Sequence, residues 1–297
     1  MDYYDGRARP GKGMMNMTVK ISADSTCDLS AELAERYGVS ITPLYVLMDD
    51  KACRDGQECS ADDIFQFTRR TGRLCSTAAV TIADYEDFFD RALSEYDQVV
   101  HFTISSDMSA CYQNAVEAAG EHPGRVFVVD SRNLSTGIGL LALDAAVLAR
   151  QGKSGEEIFA AVEAKKEKLN VSFVIDTLEY LHKGGRCSGV AALGANLLKL
   201  KPCIEVGGGV MTVGKKYRGS LNKCVETYVR ERIGTDGRGA DPDRIFITDS
   251  GVEDALVASV EETLRTAGFR EVLHTRAGGT ISSHCGPGTL GILYYNQ

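Results

Sequence analysis

Strands and helices alternate through the first half of this 297-residue chain, and that alternation limits the fold more than any other feature. Thr18–Ser22 is a β-rich run, and Ser30–Tyr37 carries helical spacing behind a candidate N-cap at Ser30. Val39–Val46 reads as a strand, and Ala61–Arg70 and Ile82–Glu95 read as helices. Val99–Ile104 and Arg125–Val129 are strand-like, with the helical Ser109–Ala119 between them and the strongly apolar helix Gly137–Arg150 after them. Strands separated by helices pair in parallel, because each crossover returns the chain to the same sheet edge. Such a sheet needs helices on both faces to bury its apolar side chains.

The second half reads differently. Ser154–Lys168 is an amphipathic helix and Val171–Ile175 a strand. Cys203–Val206 and Val210–Val213 flank the glycine run 207–209, which predicts a hairpin and hence antiparallel pairing. Ile233–Arg244 holds Gly, Asp and Pro and reads as a surface loop before the strand Ile245–Thr248. The expected architecture is therefore two-lobed α/β, with one lobe over residues 17–165 and a second, with a mixed or antiparallel sheet, over 166–297. Residues 1–16 are polar and bear Gly and Pro; they read as a disordered leader, or as sequence ahead of an internal start at Met14, Met15 or Met17.

Charge and motif content narrow the function. A net charge of -8 argues against general affinity for nucleic acid or an anionic membrane, which requires clustered Lys and Arg. No apolar run reaches the length of a membrane span, about 18 residues. The nine cysteines include no C-x-x-C pair, and the five histidines are isolated, so neither a disulfide framework nor a metal site is expected and the thiols read as buried apolar groups of a cytoplasmic protein. Gly137-Ile138-Gly139-Leu140-Leu141-Ala142 fits a dinucleotide-binding pattern, but seven residues separate it from the preceding strand, where the first glycine should follow at once. Close helix packing explains those glycines better. Gly152-Lys153-Ser154 resembles the end of a phosphate-binding loop but follows a helix, and reads as a helix end followed by an N-cap. No G-x-S-x-G or H-E-x-x-H occurs, and nothing nominates a catalytic residue.

Several segments, in order along residues 17–297, resemble the DegV family of bacterial fatty-acid-binding proteins. They are Asp24-Ser25-Thr26-Cys27-Asp28-Leu29; Ile104-Ser105-Ser106-Asp107-Met108-Ser109-Ala110-Cys111-Tyr112-Gln113; Val128-Val129-Asp130-Ser131 with Ser135, Gly137 and Gly139; Leu178-Glu179-Tyr180-Leu181-His182-Lys183-Gly184-Gly185-Arg186; Lys199-Leu200-Lys201-Pro202; and His284-Cys285-Gly286-Pro287-Gly288-Thr289-Leu290-Gly291. The resemblance implies a two-lobed protein that buries one long-chain fatty acid as its ligand, with no cofactor. It further implies presentation of the carboxylate to the catalytic subunit of a separate fatty acid kinase, with transient membrane contact during lipid transfer. It places the carboxylate on Thr77, Ser109, Arg218 and His284, with the adjacent Ser76 and Ala110 in a secondary set. Asp24, Ser25 and Thr26 join that set because they follow the first strand, and loops at the carboxyl ends of parallel strands are where α/β folds bind ligands. Two blocks depart from the family pattern: Thr77-Ala78-Ala79-Val80 stands for T-S-Q-P, and Met108-Ser109-Ala110-Cys111 for L-S-G-T.

Hydroxyl, guanidinium and imidazole donors suit a buried anion, which must be hydrogen-bonded or else take up a proton. Read alone, the same residues have plainer uses. Thr77 and Ser109 fit helix caps, Arg218 a solvated hairpin charge, His284 a turn beside Gly286-Pro287-Gly288, and Asp24–Thr26 a capping turn. The competing functions are an unrecognised hydrolase or nucleotide-dependent transferase, and a lipid sensor.

Overall fold

The computed structural model describes residues 17–187, 200–235 and 239–297. The expected leader 1–16 and Lys199 of the fifth segment lie outside the described residues. The first half runs β1 (Val19–Asp24), a 3-10 turn (Ser25–Cys27), α1 (Ala31–Tyr37), β2 (Val39–Thr42), β3 (Tyr45–Met48), β4 (Lys51–Arg54), α2 (Ala61–Thr71) and β5 (Ser76–Ala78). It continues through α3 (Ile82–Glu95), β6 (Gln98–Thr103), α4 (Cys111–Ala119), β7 (Val126–Asp130), α5 (Thr136–Arg150) and α6 (Gly155–Lys166).

Strands β2-β1-β6-β7 form an all-parallel sheet, as the alternation requires. Its helices start where capping side chains occur. Ser30 Oγ accepts the Leu33 amide at 3.2 Å, and Ser154 forms a reciprocal capping box with Glu157 ahead of α6. Tyr85, Phe89, Phe102, Ile138, Leu140 and Leu141 are fully buried in the core. The glycines of α5 are there for packing. A Cβ on Gly137 would meet Asn133 Oδ1 at 2.5 Å, and one on Gly139 would meet the Cys27 carbonyl at 3.1 Å.

The expected single strand Val39–Val46 is instead two strands in two sheets. Pro43 lacks the amide needed to continue a ladder, and beyond it β3 turns into a small antiparallel sheet, β4-β3-β5. That sheet and α2 enclose a separate apolar cluster around Val46, Cys53, Ile64 and Phe65.

The second half comprises β8 (Leu169–Val174), α7 (Glu179–Gly184), β9 (Leu200–Gly207), β10 (Val210–Arg218), α8 (Leu221–Thr235), β11 (Ala240–Ser250), α9 (Asp254–Thr266), β12 (Glu271–Arg276), α10 (Gly279–Cys285) and β13 (Thr289–Asn296). They build a mixed six-stranded sheet, β10-β9-β8-β13-β11-β12, in which only β11–β12 is parallel. The hairpin turns at Gly208 and Gly209, both with positive φ, as the glycine run predicted. The expected loop Ile233–Arg244 is regular structure at both ends: α8 continues to Thr235 and β11 begins at Ala240, with a register shift between Ala240 and Ile245 around Pro242, while residues 236–238 lie outside the described residues. Among the described residues no helix is long and apolar enough to cross a membrane, and all nine cysteines are free thiols.

Candidate functional site

Helix α10 is the element around which the site is built. It has only seven residues, starts Gly-Thr and has a glycine, Gly278, at its N-cap, a poor intrinsic helix, so its position is set from outside. Asp55 supplies that anchor. Its Oδ1 accepts the Gly279 amide at 2.7 Å, and its Oδ2 accepts the Thr280 amide at 3.0 Å and the Ser25 hydroxyl at 3.0 Å. Asp28 Oδ1 accepts the Gly278 amide at 2.8 Å and its Oδ2 the Ser135 hydroxyl at 2.6 Å. Two buried carboxylates thus satisfy three amides at the positive end of the helix. A Cβ at Gly279 would stand 2.8 Å from Asp55 Oδ1, so the approach requires glycine there.

Anchored in this way, α10 presents Thr280, Ile281, His284 and Cys285 to a cavity of about 220 Å³. Leu44, Thr77, Ala78, Ala79, Ile104, Met108, Ser109, Ala110 and Leu134 complete the wall from the first half of the chain, with Arg186 and Met211 from the second. The cavity therefore lies where residues of both halves meet. A second void of about 20 Å³ adjoins it, sharing Leu134, Ile281 and Cys285 and reaching Phe173 and Leu293. The lining is mostly aliphatic, and its polar side chains are those of Thr77, Ser109, Arg186, Thr280 and His284.

Thr77 Oγ1 and His284 Nε2 are 2.9 Å apart, with the imidazole tautomer deciding which donates. The other ring nitrogen, Nδ1, is buried without a partner, and packs where a Cβ on Gly184 would come within 2.5 Å. Burial lowers the His284 pKa to about 4, and the Arg186 guanidinium adds to the effect. The imidazole is neutral at pH 7. Ser109 Oγ accepts the Cys111 amide at 3.3 Å, which sets the hydroxyl at the start of α4, and Ala110 is that helix's N-cap residue. Ser109 and Ala110, at the start of α4, line the same cavity as Thr77 and His284. Burial pushes the Cys285 thiol to about 12, so that side chain is packing surface and not a nucleophile at neutral pH.

The structure brings Thr77, Ser109, Ala110 and His284 to one cavity but sends the other expected residues elsewhere. Arg218 ends β10 exposed to solvent, paired in register with Leu200, because alternation along the strand turns its neighbour Tyr217 inward. The guanidinium at the cavity belongs to Arg186. Arg186 ends the fourth of the segments that resemble the family, which gave no sign of a place at the cavity. Ser76 is exposed on β5. Asp24, Ser25 and Thr26 belong to the frame: Asp24 accepts the Thr26 amide at 3.0 Å and the Ile104 amide at 2.8 Å, while Ser25 Oγ joins Asp55 to the Leu44 amide. Burial raises Asp24 to about 6 and Asp28 to about 8. Among the described residues no cluster of His, Cys, Asp and Glu is placed to hold a metal ion.

The protein is a two-lobed α/β fold with a mostly aliphatic cavity where its halves meet, whose polar lining residues are Thr77, Ser109, Arg186, Thr280 and His284. The chain belongs to the DegV family, described as a family of uncharacterised proteins, whose profile matches residues 18–297. It is 32% identical to a DegV domain-containing protein of Deinococcus radiodurans, over 93% of this chain and 98% of that one. A protein of Thermotoga maritima named a fatty acid-binding protein is 29% identical over 93% of this chain and 96% of its own length. The solved structure of a DegV family protein from Thermus thermophilus, described for its fatty acid binding, superposes with a TM-score of 0.85 at 33% identity, covering 95% of this chain and 100% of that one.

Proposed function

We propose that this protein buries one long-chain fatty acid, with the tail along the aliphatic cavity and the carboxylate at the Thr77–Ser109–His284 end, Arg186 standing at the rim. It performs no chemistry on the lipid. It presents the carboxyl group in the cytoplasm to the catalytic subunit of a separate fatty acid kinase, which forms the acyl phosphate. The observation that carries this reading is a mostly aliphatic chamber with few polar side chains in its wall, two of which, Thr77 and His284, stand 2.9 Å apart. Each buried methylene contributes about 0.8 kcal/mol, so the tail supplies affinity, while the donors offset the desolvation of the anion. The relatives from Thermotoga and Thermus support the same ligand class. In this reading Arg218, with Lys216 beside it on the exposed side of β10, serves outside the cavity as part of a surface for an acidic partner.

Native mass spectrometry of protein purified from cells tests the reading. The expected result is a mass increment of one long-chain fatty acid that survives chromatography and is absent after denaturation. A protein that carries no lipid and takes up none from solution would refute it.

A further inference from the structure

We propose that Arg132 is the positioning residue that holds the cavity shut, by clamping the β9–β10 turn onto the loop that leads to Ser109. The proposal rests on the fatty-acid reading above and adds to it the contact that opens when lipid is exchanged. Arg132 follows β7 and adopts φ of +51, a left-handed conformation unusual for a residue with a long side chain. Its guanidinium reaches across to the carbonyl of Gly208 in the turn. On its own side it bonds Asp107 Oδ2 at 2.6 Å and the Ser106 hydroxyl at 3.0 Å. Asp130 braces this arrangement, accepting the Arg132 amide at 3.0 Å and the Ser106 hydroxyl at 2.6 Å.

The turn is shaped to receive the clamp. Gly209 has φ of +89, and a side chain there would run into the guanidinium. One more bond ties the turn to the head-group end: Ser105 Oγ donates to the Gly209 carbonyl at 2.7 Å, while the Ser105 carbonyl accepts the amides of Met108 at 2.9 Å and Ser109 at 3.2 Å. Two residues beyond Gly209, Met211 joins Met108 and Ser109 in the cavity wall. Arg132 thus fixes two wall segments from the two halves against each other.

The chemistry of the clamp suits a contact that opens. The cavity wall is drawn from both halves, so parting the contacts between them widens the path by which a tail leaves. Apolar contacts in the core are costly to break, whereas Arg132 is 35% exposed and its bonds exchange with water. The planar guanidinium spreads its donors over two terminal nitrogens in a fixed fork that reaches the carbonyl, the carboxylate and the hydroxyl; an ammonium has three donors but presents them from a single atom on a flexible stem.

Stopped-flow transfer of a fluorescent long-chain fatty acid from the protein to delipidated albumin tests the clamp. Arg132→Ala is expected to speed release about tenfold, the effect of roughly one lost charge-assisted hydrogen bond. Arg132→Lys keeps the charge and is expected to recover only part of the wild-type rate. Gly209→Ala attacks the same contact from the other side and is expected to act alike. Because association accelerates with dissociation, the equilibrium affinity is expected to change less than either rate, which a residue that only stabilises the fold would not produce. Should Arg132→Ala fail to fold, Gly209→Ala and Ser105→Ala decide. Folded variants that bind lipid and release it within twofold of wild type would overturn the clamp alone. A wild-type protein that binds no fatty acid would instead overturn the carrier reading.

Discussion

Replacing Thr77 by Val removes one hydroxyl and leaves the volume of the side chain almost unchanged, so its effect can be assigned to hydrogen bonding. Thr77 lies on β5, where a β-branched residue suits the strand, and its backbone pairing with Val46 is retained. The lost contact is the 2.9 Å bond to His284 Nε2. Because Nδ1 already lacks a partner, the variant imidazole has no hydrogen bond on either nitrogen. An orphaned buried polar group costs about 1–3 kcal/mol, and the melting temperature of the ligand-free protein should fall accordingly. Binding loses a donor to the carboxylate, worth about 1.5–3 kcal/mol when the acceptor is charged. Part of that is recovered, since the released Nε2 becomes available to the ligand. The expected net effect is the lower bound, about a tenfold rise in Kd for a long-chain fatty acid. Calorimetry with the acid and with the alcohol of equal chain length separates head from tail. The alcohol carries no charge, so its affinity should move by less than about threefold, short of half the tenfold step on a logarithmic scale. Equal losses for acid and alcohol, or no loss for either, would refute the placement of the carboxylate at Thr77.

Ile281 stands at the junction between the main cavity and the smaller void, and Ile281→Phe should shorten the tail the protein accepts. Each excluded methylene forfeits about 0.8 kcal/mol, so competition binding across a homologous series should shift preference by about fourfold per carbon. The buried carboxyl of Asp28 is raised to about 8 against an ordinary value of 3.8. The folded chain therefore keeps a proton that the unfolded chain has released, and stability should fall as pH rises from about 4 to about 8. Asp28→Asn, whose amide oxygen can still accept from Gly278 while Ser135 turns to accept, should flatten that slope in urea denaturation series and equal or exceed wild-type stability near pH 8. A variant that keeps the slope would show that Asp28 is not its source.

Local chemistry made much of this fold readable. Ser30 and Ser154 cap helices where their spacing predicted, and the strand–helix alternation gave the parallel order of the first sheet its direction. Long-range pairing was not readable. The last strand of the chain, β13, lies inside the second sheet between β8 and β11, and no periodicity in residues 289–296 specifies those neighbours. The break at Pro43 had a local signal, the missing amide, which the apolar run on both sides concealed. Thr77 and His284 are 207 positions apart, and their 2.9 Å contact depends on a seven-residue helix held by Asp55. Only the resemblance to known relatives joined them in advance. The guanidinium illustrates the limit: Arg186 and Arg218 both follow glycine-rich turns or hairpins, and only the direction in which each strand or turn faces separates rim from surface.

In the carrier proposed above, the lipid carboxylate is held by donors inside the protein and kept from bulk water. The carbon-13 spectrum of bound palmitic acid labelled at its carboxyl carbon, followed from pH 8 to pH 4 in wild type and His284→Ala, tests it most directly. The account predicts a single resonance, shifted from that of the free acid and indifferent to an added paramagnetic relaxation agent, whose titration moves on loss of the imidazole. A carboxyl that titrates and relaxes as it does at a water-exposed surface, and equally in both proteins, would contradict it.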